Sequence, residues 1–159
     1  MLISSILVSA GLLAASPISE LPDGWRIPTS AELADAMFTE APEAFTRVVA
    51  DLNDDSVEDI ALVLKSTSES AEALWVFLSG PDKSEWILLN KLSWDSGQKN
   101  VGISMRIDKA EPGSYESRDT GQKHYFSVFG LEYFRPGSSS SVFFWSSAER
   151  KFQQIWIGD

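Results

Sequence analysis

The sequence has no cysteine and one histidine, and its basic residues are few: 13 Lys and Arg stand against 23 Asp and Glu, a formal net charge of −10. The missing cysteines exclude zinc fingers, cysteine nucleophiles and disulfide scaffolds. A single histidine excludes catalytic and metal sites that require several histidines. Nucleic acid and anionic lipid are disfavoured as partners, because phosphate binding relies on clustered Lys and Arg.

What is present suffices for a folded domain. Of the 159 residues, 43% are hydrophobic and 11% are aromatic. A chain of this length and composition suits one domain with a hydrophobic core, and it does not match the composition of disordered proteins.

An apolar run from Leu2 to Ala15 opens the chain and ends in small residues. This pattern predicts a secretory signal peptide over residues 1–16, cut between Ala15 and Ser19; a buried N-terminal helix is the alternative. The run is shorter than the roughly 20 apolar residues of a membrane-spanning helix, so we expect no membrane anchor. We predict a periplasmic or secreted protein with a single β-rich domain over residues 17–159.

Acidic residues are concentrated in the first part of the mature chain. Between Pro17 and Glu72 they outnumber basic residues thirteen to three, whereas Ala73 to Asp159 holds ten of each sign. This distribution predicts an acidic face, whose natural complement is a protein with a basic surface.

One helix is predicted from Ser30 to Thr39, because Thr29 or Ser30 can cap it and apolar residues recur at helical spacing. After Pro42 the pattern changes to short apolar runs separated by turn residues, which is typical of β-strands. The runs are Phe45–Ala50, Asp59–Lys65, Ala73–Leu78, Glu85–Leu92, Val101–Ile107, His124–Phe129, Leu131–Phe134, Val142–Ser146 and Phe152–Ile157.

Three runs are apolar without alternation, which indicates inner strands covered on both faces: Ile60–Leu64, Leu74–Leu78 and Phe143–Trp145. Asp95–Asn100 divides the strands into two groups. We therefore predict a mainly β fold in which two antiparallel meander sheets, each like a propeller blade, pack face to face, with one N-terminal helix at an end or edge. The residues expected to be buried are Leu62, Trp75, Phe77 and Phe144.

The most informative segment is the acidic stretch from Asp51 to Asp59 between two predicted strands. Calcium prefers six to eight hard oxygen ligands, and here oxygen side chains alternate along the loop. They occupy loop positions 1, 3, 5 and 9, with a backbone carbonyl at position 7: Asp51, Asn53, Asp55, Asp59 and the Val57 carbonyl. Position 12 is Leu62, so this is not an EF-hand. A solvated acidic hairpin without an ion is the alternative.

This loop resembles the calcium loop of FG-GAP (VCBS-like) proteins, D-x-[DN]-x-D-G-x-x-D, which joins two β-strands of a propeller blade. The resemblance implies calcium ligands at Asp51, Asn53, Asp55, Val57 (carbonyl) and Asp59. Ser56 stands where the family has glycine at positive φ, which costs about 1 kcal/mol for a residue with a Cβ. The sequence has one copy of the motif, whereas a propeller needs about four blades.

The wider chain is similar to small, exported, single-copy bacterial proteins of this FG-GAP type. Besides the acidic loop, the similarity rests on Leu21–Pro28, Phe143–Trp145 and Phe152–Trp156. It implies a β-rich exported domain and no particular activity.

Other candidate sites have simpler interpretations. His124, the one histidine, has no local nucleophile or carboxylate partner and is expected at a surface or strand edge. Ser138–Ser141 could hold a nucleophile, but the composition is typical of a hairpin turn. Ten of the 18 aromatic residues lie between Tyr125 and Trp156; they form either a ligand platform, for example for sugars, or part of the core.

These observations favour a monomeric binding protein over an enzyme. We predict that calcium stiffens the acidic loop and that the partner has a basic surface, as for an inhibitor or immunity protein facing an envelope-acting protein. The alternative is a small cell-envelope hydrolase that uses carboxylates of the acidic half.

Overall fold

The computed structural model describes residues 20–34, 38–80, 83–95 and 102–158. The predicted signal peptide lies outside these residues. They form one short helix, α1 (Ser30–Leu33), and eleven strands. The strands are β1 (Trp25–Arg26), β2 (Arg47–Ala50), β3 (Asp59–Ser66), β4 (Ala71–Leu78), β5 (Glu85–Ser93), β6 (Arg106–Ala110), β7 (Gly113–Glu116), β8 (Lys123–Phe126), β9 (Gly130–Phe134), β10 (Ser140–Ser146) and β11 (Lys151–Gly158).

The strands form two antiparallel sheets and a separate hairpin. In sheet one, β3 pairs with β4 and β4 with β5, while β1 and β2 both pair with β3. Sheet two has the order β11–β10–β9–β6, and β7 pairs with β8. The predicted mainly β, antiparallel fold is confirmed. All strands of sheet one precede Asp95 and all strands of sheet two follow it, which matches the predicted division.

The unbroken apolar runs occupy inner strands, as predicted. All eight residues of β3 are buried, because β3 has neighbours in its sheet and apolar layers on both faces. One layer is the core shared by the two sheets, to which sheet one contributes Ala61, Val63, Leu74, Val76 and Leu78, and sheet two contributes Ile107, Leu131, Tyr133 and Phe143. The two sheets therefore pack face to face.

The second apolar layer lies on the outer face of sheet one. Ile60, Leu62 and Leu64 are buried there beneath partly exposed side chains, including Trp25, Trp75, Phe77 and Trp86. The prediction that Trp75 and Phe77 are buried is wrong, because both lie over Ile60, Leu62 and Leu64 at the solvent side of this outer layer and are only partly covered. Leu62 and Phe144 are buried as predicted, at 6% and 5% exposure.

Helix α1 begins where predicted and ends early. Thr29 caps it in a capping box with Glu32, but the helix ends at Leu33 and Ala34 is extended. The carbonyls that would continue the helix have other partners: Ile103 N–H donates to Glu32 O at 3.0 Å, and the Arg106 guanidinium donates to Leu33 O at 3.3 Å. Contacts from β6 and from the segment before it thus take carbonyls that a longer helix would use. Residues 35–37 of the predicted helix lie outside the described part.

Strand β6 begins later than the apolar run Val101–Ile107 predicts. Ser104 and Met105 donate their backbone N–H groups to the Glu72 carboxylate instead of to a neighbouring strand. Strands β1 and β7 have no counterpart in the prediction, because β1 has two residues and β7 is polar. In the described ranges, no helix has the length and apolarity needed to cross a bilayer.

Candidate functional site

The candidate calcium loop connects β2 and β3, which are hydrogen-bonded neighbours. Ala50 lies opposite Asp59 in the pairing, so residues 51–58 form a closed loop at the end of the two strands. This is the strand–loop–strand setting that the sequence predicts.

The Asp51 carboxylate organises the loop. Its Oδ1 atom accepts backbone N–H groups from Asn53 at 3.3 Å, Asp54 at 2.8 Å and Asp55 at 3.3 Å, and its Oδ2 atom accepts that of Ser56 at 2.8 Å. One negatively charged side chain therefore holds four consecutive amides, and charge-assisted hydrogen bonds of this kind are the stronger ones.

The loop adopts left-handed backbone conformations without glycine. Asp54 has φ 66° and Ser56 has φ 64°. The positive φ predicted for Ser56 is confirmed. A residue with a Cβ costs roughly 1 to 2 kcal/mol in this region, and the hydrogen bond from Ser56 N–H to Asp51 offsets part of that cost. Ser56 therefore does not prevent the loop from forming.

The structure brings together Asp51, Asn53 and Asp55. Asp55 Oδ1 accepts the Val57 N–H at 2.8 Å, and Asp55 Oδ2 accepts Asn53 Nδ2 at 3.2 Å. Asn53 Oδ1 in turn accepts the Asp55 N–H at 3.3 Å. These side chains thus form hydrogen bonds within the loop, while Asp54 and Asp55 are both exposed.

Asp59 lies apart from these three side chains and is completely buried. Its Oδ2 atom accepts the Leu52 N–H and its Oδ1 atom accepts the Ser79 N–H, both at 2.9 Å. Burial raises the pKa of Asp59 to about 7, and the negative charges of Asp55 and Asp51 add to the rise, while the two N–H donors oppose it. Asp59 thus ties the loop to the end of β4.

The donor chemistry of the loop fits calcium. Each candidate ligand is a hard oxygen, and a carboxylate offers about four lone-pair positions, so Asp59 keeps acceptor capacity beyond its two N–H donors. The geometry is incomplete: within the described ranges, no three His, Cys, Asp or Glu side chains are grouped as a metal site requires. Asp51, Asn53, Asp55 and the Val57 carbonyl would hold the ion, and Asp59 would have to turn toward it.

The predicted acidic face is smaller than the sequence count suggests. Asp59 and Glu72 are buried, Glu32 pairs with Arg26 at 2.8 Å, and Glu69 pairs with Lys91 at 2.7 Å. The acids that remain exposed include Asp54 and Asp55 in the loop and Glu20, Asp23, Glu40 and Glu43 outside it.

Most of the other candidates have structural roles. His124 is half-buried with its ring 5.6 Å from that of Phe144. Ser140 and Ser141 belong to β10, while Ser138 and Ser139 form the preceding turn. Among the aromatic residues from Tyr125 to Trp156, four are buried: Phe126, Tyr133, Phe143 and Phe144. Tyr125 and Trp156 are exposed.

Sequence reasoning missed the burial of four charged groups that connect elements: Asp59, Lys65, Glu72 and Arg106. Arg106 Nη1 donates to Pro42 O at 3.0 Å, and its guanidinium lies 4.6 Å from the Phe38 ring. A charged residue inside or beside an apolar run, such as Glu72 before Leu74–Leu78, was the available signal.

Comparison of the chain with protein-family models, with curated proteins and with solved structures found no match.

Proposed function

We propose that this chain is an exported binding protein in which calcium, held by the Asp51–Asp59 loop, stiffens one end of a β-sandwich. The observation that carries the proposal is the grouping of Asp51, Asn53 and Asp55 by hydrogen bonds on a tight loop between paired strands. The partner would be an envelope-acting protein with a basic surface, which this chain inhibits or neutralises.

Charge supports the calcium site. Asp51, Asp54, Asp55 and Glu58 lie within one short loop, and none of them forms an ion pair with any described residue. Like charges at such separations repel, and a divalent cation would relieve that repulsion. An ion would also favour the charged form of Asp59, whose pKa is raised mainly by burial and further by the loop carboxylates.

Two hydrogen bonds of Asp59 connect the loop to the rest of sheet one. Asp59 bonds to Leu52 inside the loop and to Ser79 after β4. Fixing the loop therefore fixes the ends of three strands of sheet one, β2, β3 and β4. Bound calcium would neutralise the loop carboxylates and stiffen the loop. Its proposed role is therefore structural and involves no enzymatic reaction.

Calcium is expected to raise the melting temperature of the full chain. The loop supplies about five ligands, so Kd should be on the order of 10⁻⁵ to 10⁻³ M. Calcium at about 100 times Kd should then add roughly 2.7 kcal/mol to the free energy of unfolding. Thermal melting and titration calorimetry, each started from chelated protein, measure this.

The variants for this experiment follow from the hydrogen bonds. Asp51→Ala is unsuitable because it removes the acceptor of four amides and should destabilise the calcium-free chain, contrary to the simple expectation that removing one repelling charge is harmless. Asp55→Asn keeps an acceptor for Val57 and removes the charge. It should abolish the calcium effect, whereas Asp23→Asn, an exposed site outside the loop, should leave it intact. Absence of both melting shift and heat in the wild type would contradict the site.

Export predicts a processed N-terminus. Mass spectrometry of the native protein should find the first residue between Ser16 and Glu20, because the cut follows the apolar run Leu2–Ala15. A mature product that retains Met1 would contradict the signal peptide.

The genetic neighbourhood separates the proposed inhibitor from its rival. An adjacent gene for a toxin or secretion component supports an inhibitor or immunity protein. A metabolic operon would support a small envelope hydrolase instead.

A further inference from the structure

We propose that the open edge of the sandwich at β5 binds an extended segment of a partner polypeptide, which adds to sheet one as a new strand and places a carboxylate on Arg150. The proposal rests on the proposed function in one respect: it takes the chain to be a binding protein and adds a second contact surface, for an acidic segment, to the one expected for a basic surface. It does not depend on calcium.

The backbone of β5 is the first support. β5 is the last strand of sheet one among the described residues, so its N–H and C=O groups on the side away from β4 lack a strand partner. Such an edge is a template for an incoming extended chain. The pairing of β5 with β4 shifts register at Leu89, and Lys91 follows, paired with Glu69. Bulges and lysines blunt an edge, so pairing is confined to Glu85–Leu88.

Two clefts beside this edge share one residue, Arg150. The first, of about 370 Å³, is lined by Asp55, Ser79 and Trp145 among others. The second, of about 330 Å³, lies between β5 and β11 and is lined mainly by apolar side chains, including Leu89 and Phe152. Arg150 lines both clefts, so they adjoin at this residue: the first reaches the start of β5 at Glu85, and the second follows Ile87–Leu89. A groove made of two adjoining clefts suits an elongated ligand with apolar side chains.

The charges in the groove predict a carboxylate near the middle of that ligand. Of the other cations in the groove, Lys83 pairs with Glu85 and Lys151 pairs with Glu149, both at 2.5 Å. The Arg150 guanidinium has neither an ion pair nor a hydrogen-bond partner in the described part of the chain. An unpaired guanidinium binds a carboxylate with two parallel hydrogen bonds. The Ser79 hydroxyl, in a side chain 1% exposed, also lacks a partner there.

Arg150 also offers a clean test residue. It has φ 52° in the turn between β10 and β11, and its N–H donates to Ser146 O at 2.7 Å. Glycine and asparagine tolerate this backbone conformation better than arginine. Arg150→Gly and Arg150→Asn should therefore remove the guanidinium while keeping the turn, which melting of each variant verifies.

The experiment selects random linear peptides, displayed on phage, against the immobilised full chain in EDTA. Enriched peptides should alternate apolar residues around an Asp or Glu, and their synthetic forms should protect the amides of Glu85–Leu88 from hydrogen exchange. Arg150→Gly and Arg150→Asn should each weaken binding about tenfold or more, Arg150→Lys should weaken it less, and Arg135→Ala, in the turn before β10, should leave it unchanged.

Three outcomes would overturn the proposal: no peptide enriches, the enriched peptides bind Arg150→Gly as well as the wild type, or the protected amides lie outside β5. Because the selection is made in EDTA, failure of the calcium site leaves this result unaffected. The calcium-dependent melting shift is likewise measured without peptide, so the two proposals fail separately.

Discussion

Replacing Glu72 with alanine is expected to lower the free energy of unfolding by about 3 to 5 kcal/mol. Glu72 has no exposed surface, and it lies on β4 opposite Lys65 of β3. Its Oε1 atom accepts the Ser104 hydroxyl at 2.6 Å and the Met105 N–H at 3.0 Å, and its Oε2 atom accepts the Ser104 N–H at 2.9 Å. The substitution leaves buried donors without an acceptor.

The effect should extend to the segment that precedes β6. Lys65 Nζ donates to Gly102 O at 3.0 Å, so Lys65 and Glu72 together hold residues 102–105 against sheet one. Ile103 and Met105 in this segment belong to the shared core. Without the carboxylate, the segment should detach locally, and hydrogen exchange at the Ser104 and Met105 amides should accelerate more than global unfolding requires.

Two variants make the Glu72 test specific. Glu72→Gln keeps the side-chain volume and one acceptor, so its loss should be intermediate. Glu69→Ala removes a carboxylate that is 55% exposed and paired with Lys91, and exposed pairs contribute about 0 to 1 kcal/mol. Chemical denaturation measures all three. A loss below about 1 kcal/mol for Glu72→Ala would show that these hydrogen bonds do not hold the segment.

Glu72 also shows what sequence reasoning could and could not find. The apolar runs identify β3, β4 and β10 as inner strands, because burial on both faces requires apolar residues at every position. The same pattern places Glu72 and Asp59 among the surface acids. A local sequence pattern does not reveal which backbone N–H groups a distant segment will bring to a carboxylate. Those donors come from Ser104, Met105, Leu52 and Ser79.

The sequence pattern also mispredicts where helix α1 ends, and the physical reason is the same. The pattern predicts α1 through Thr39, but carbonyls of its first turn accept hydrogen bonds from Ile103 and Arg106, far along the chain. Periodicity describes local preference, and tertiary hydrogen bonds override it. The acidic loop was predictable in position and in the positive φ of Ser56, because its determinants lie within nine consecutive residues. The separation of Asp59 from the other candidate ligands was not, because it depends on Ser79.

Truncation of two buried side chains, Phe144 and Leu62, should be more damaging than truncation of the two partly exposed aromatics Trp75 and Phe77. Phe144→Ala and Leu62→Ala should each cost roughly 2 to 5 kcal/mol through lost contacts and a cavity. Phe144 stacks on Phe126 at 5.2 Å, and Phe126 stacks on Tyr115 at 4.9 Å, so this ring series joins β10 to the β7–β8 hairpin. Phe144→Ala should therefore also increase proteolysis within that hairpin.

The outer-face residues provide the comparison, since Trp75 and Phe77 are larger but remain partly exposed above Leu62. Each truncation to alanine should cost about 1 to 2 kcal/mol, because only part of the apolar surface leaves water on folding. Trp75 Nε1 is buried without a hydrogen-bond partner among the described residues, so its removal also relieves an unsatisfied donor. Denaturant midpoints at constant slope measure all four variants. If Trp75→Ala costs more than Phe144→Ala, the partly exposed layer on the outer face of sheet one contributes more to stability than the buried cluster between β10 and the β7–β8 hairpin, contrary to this expectation.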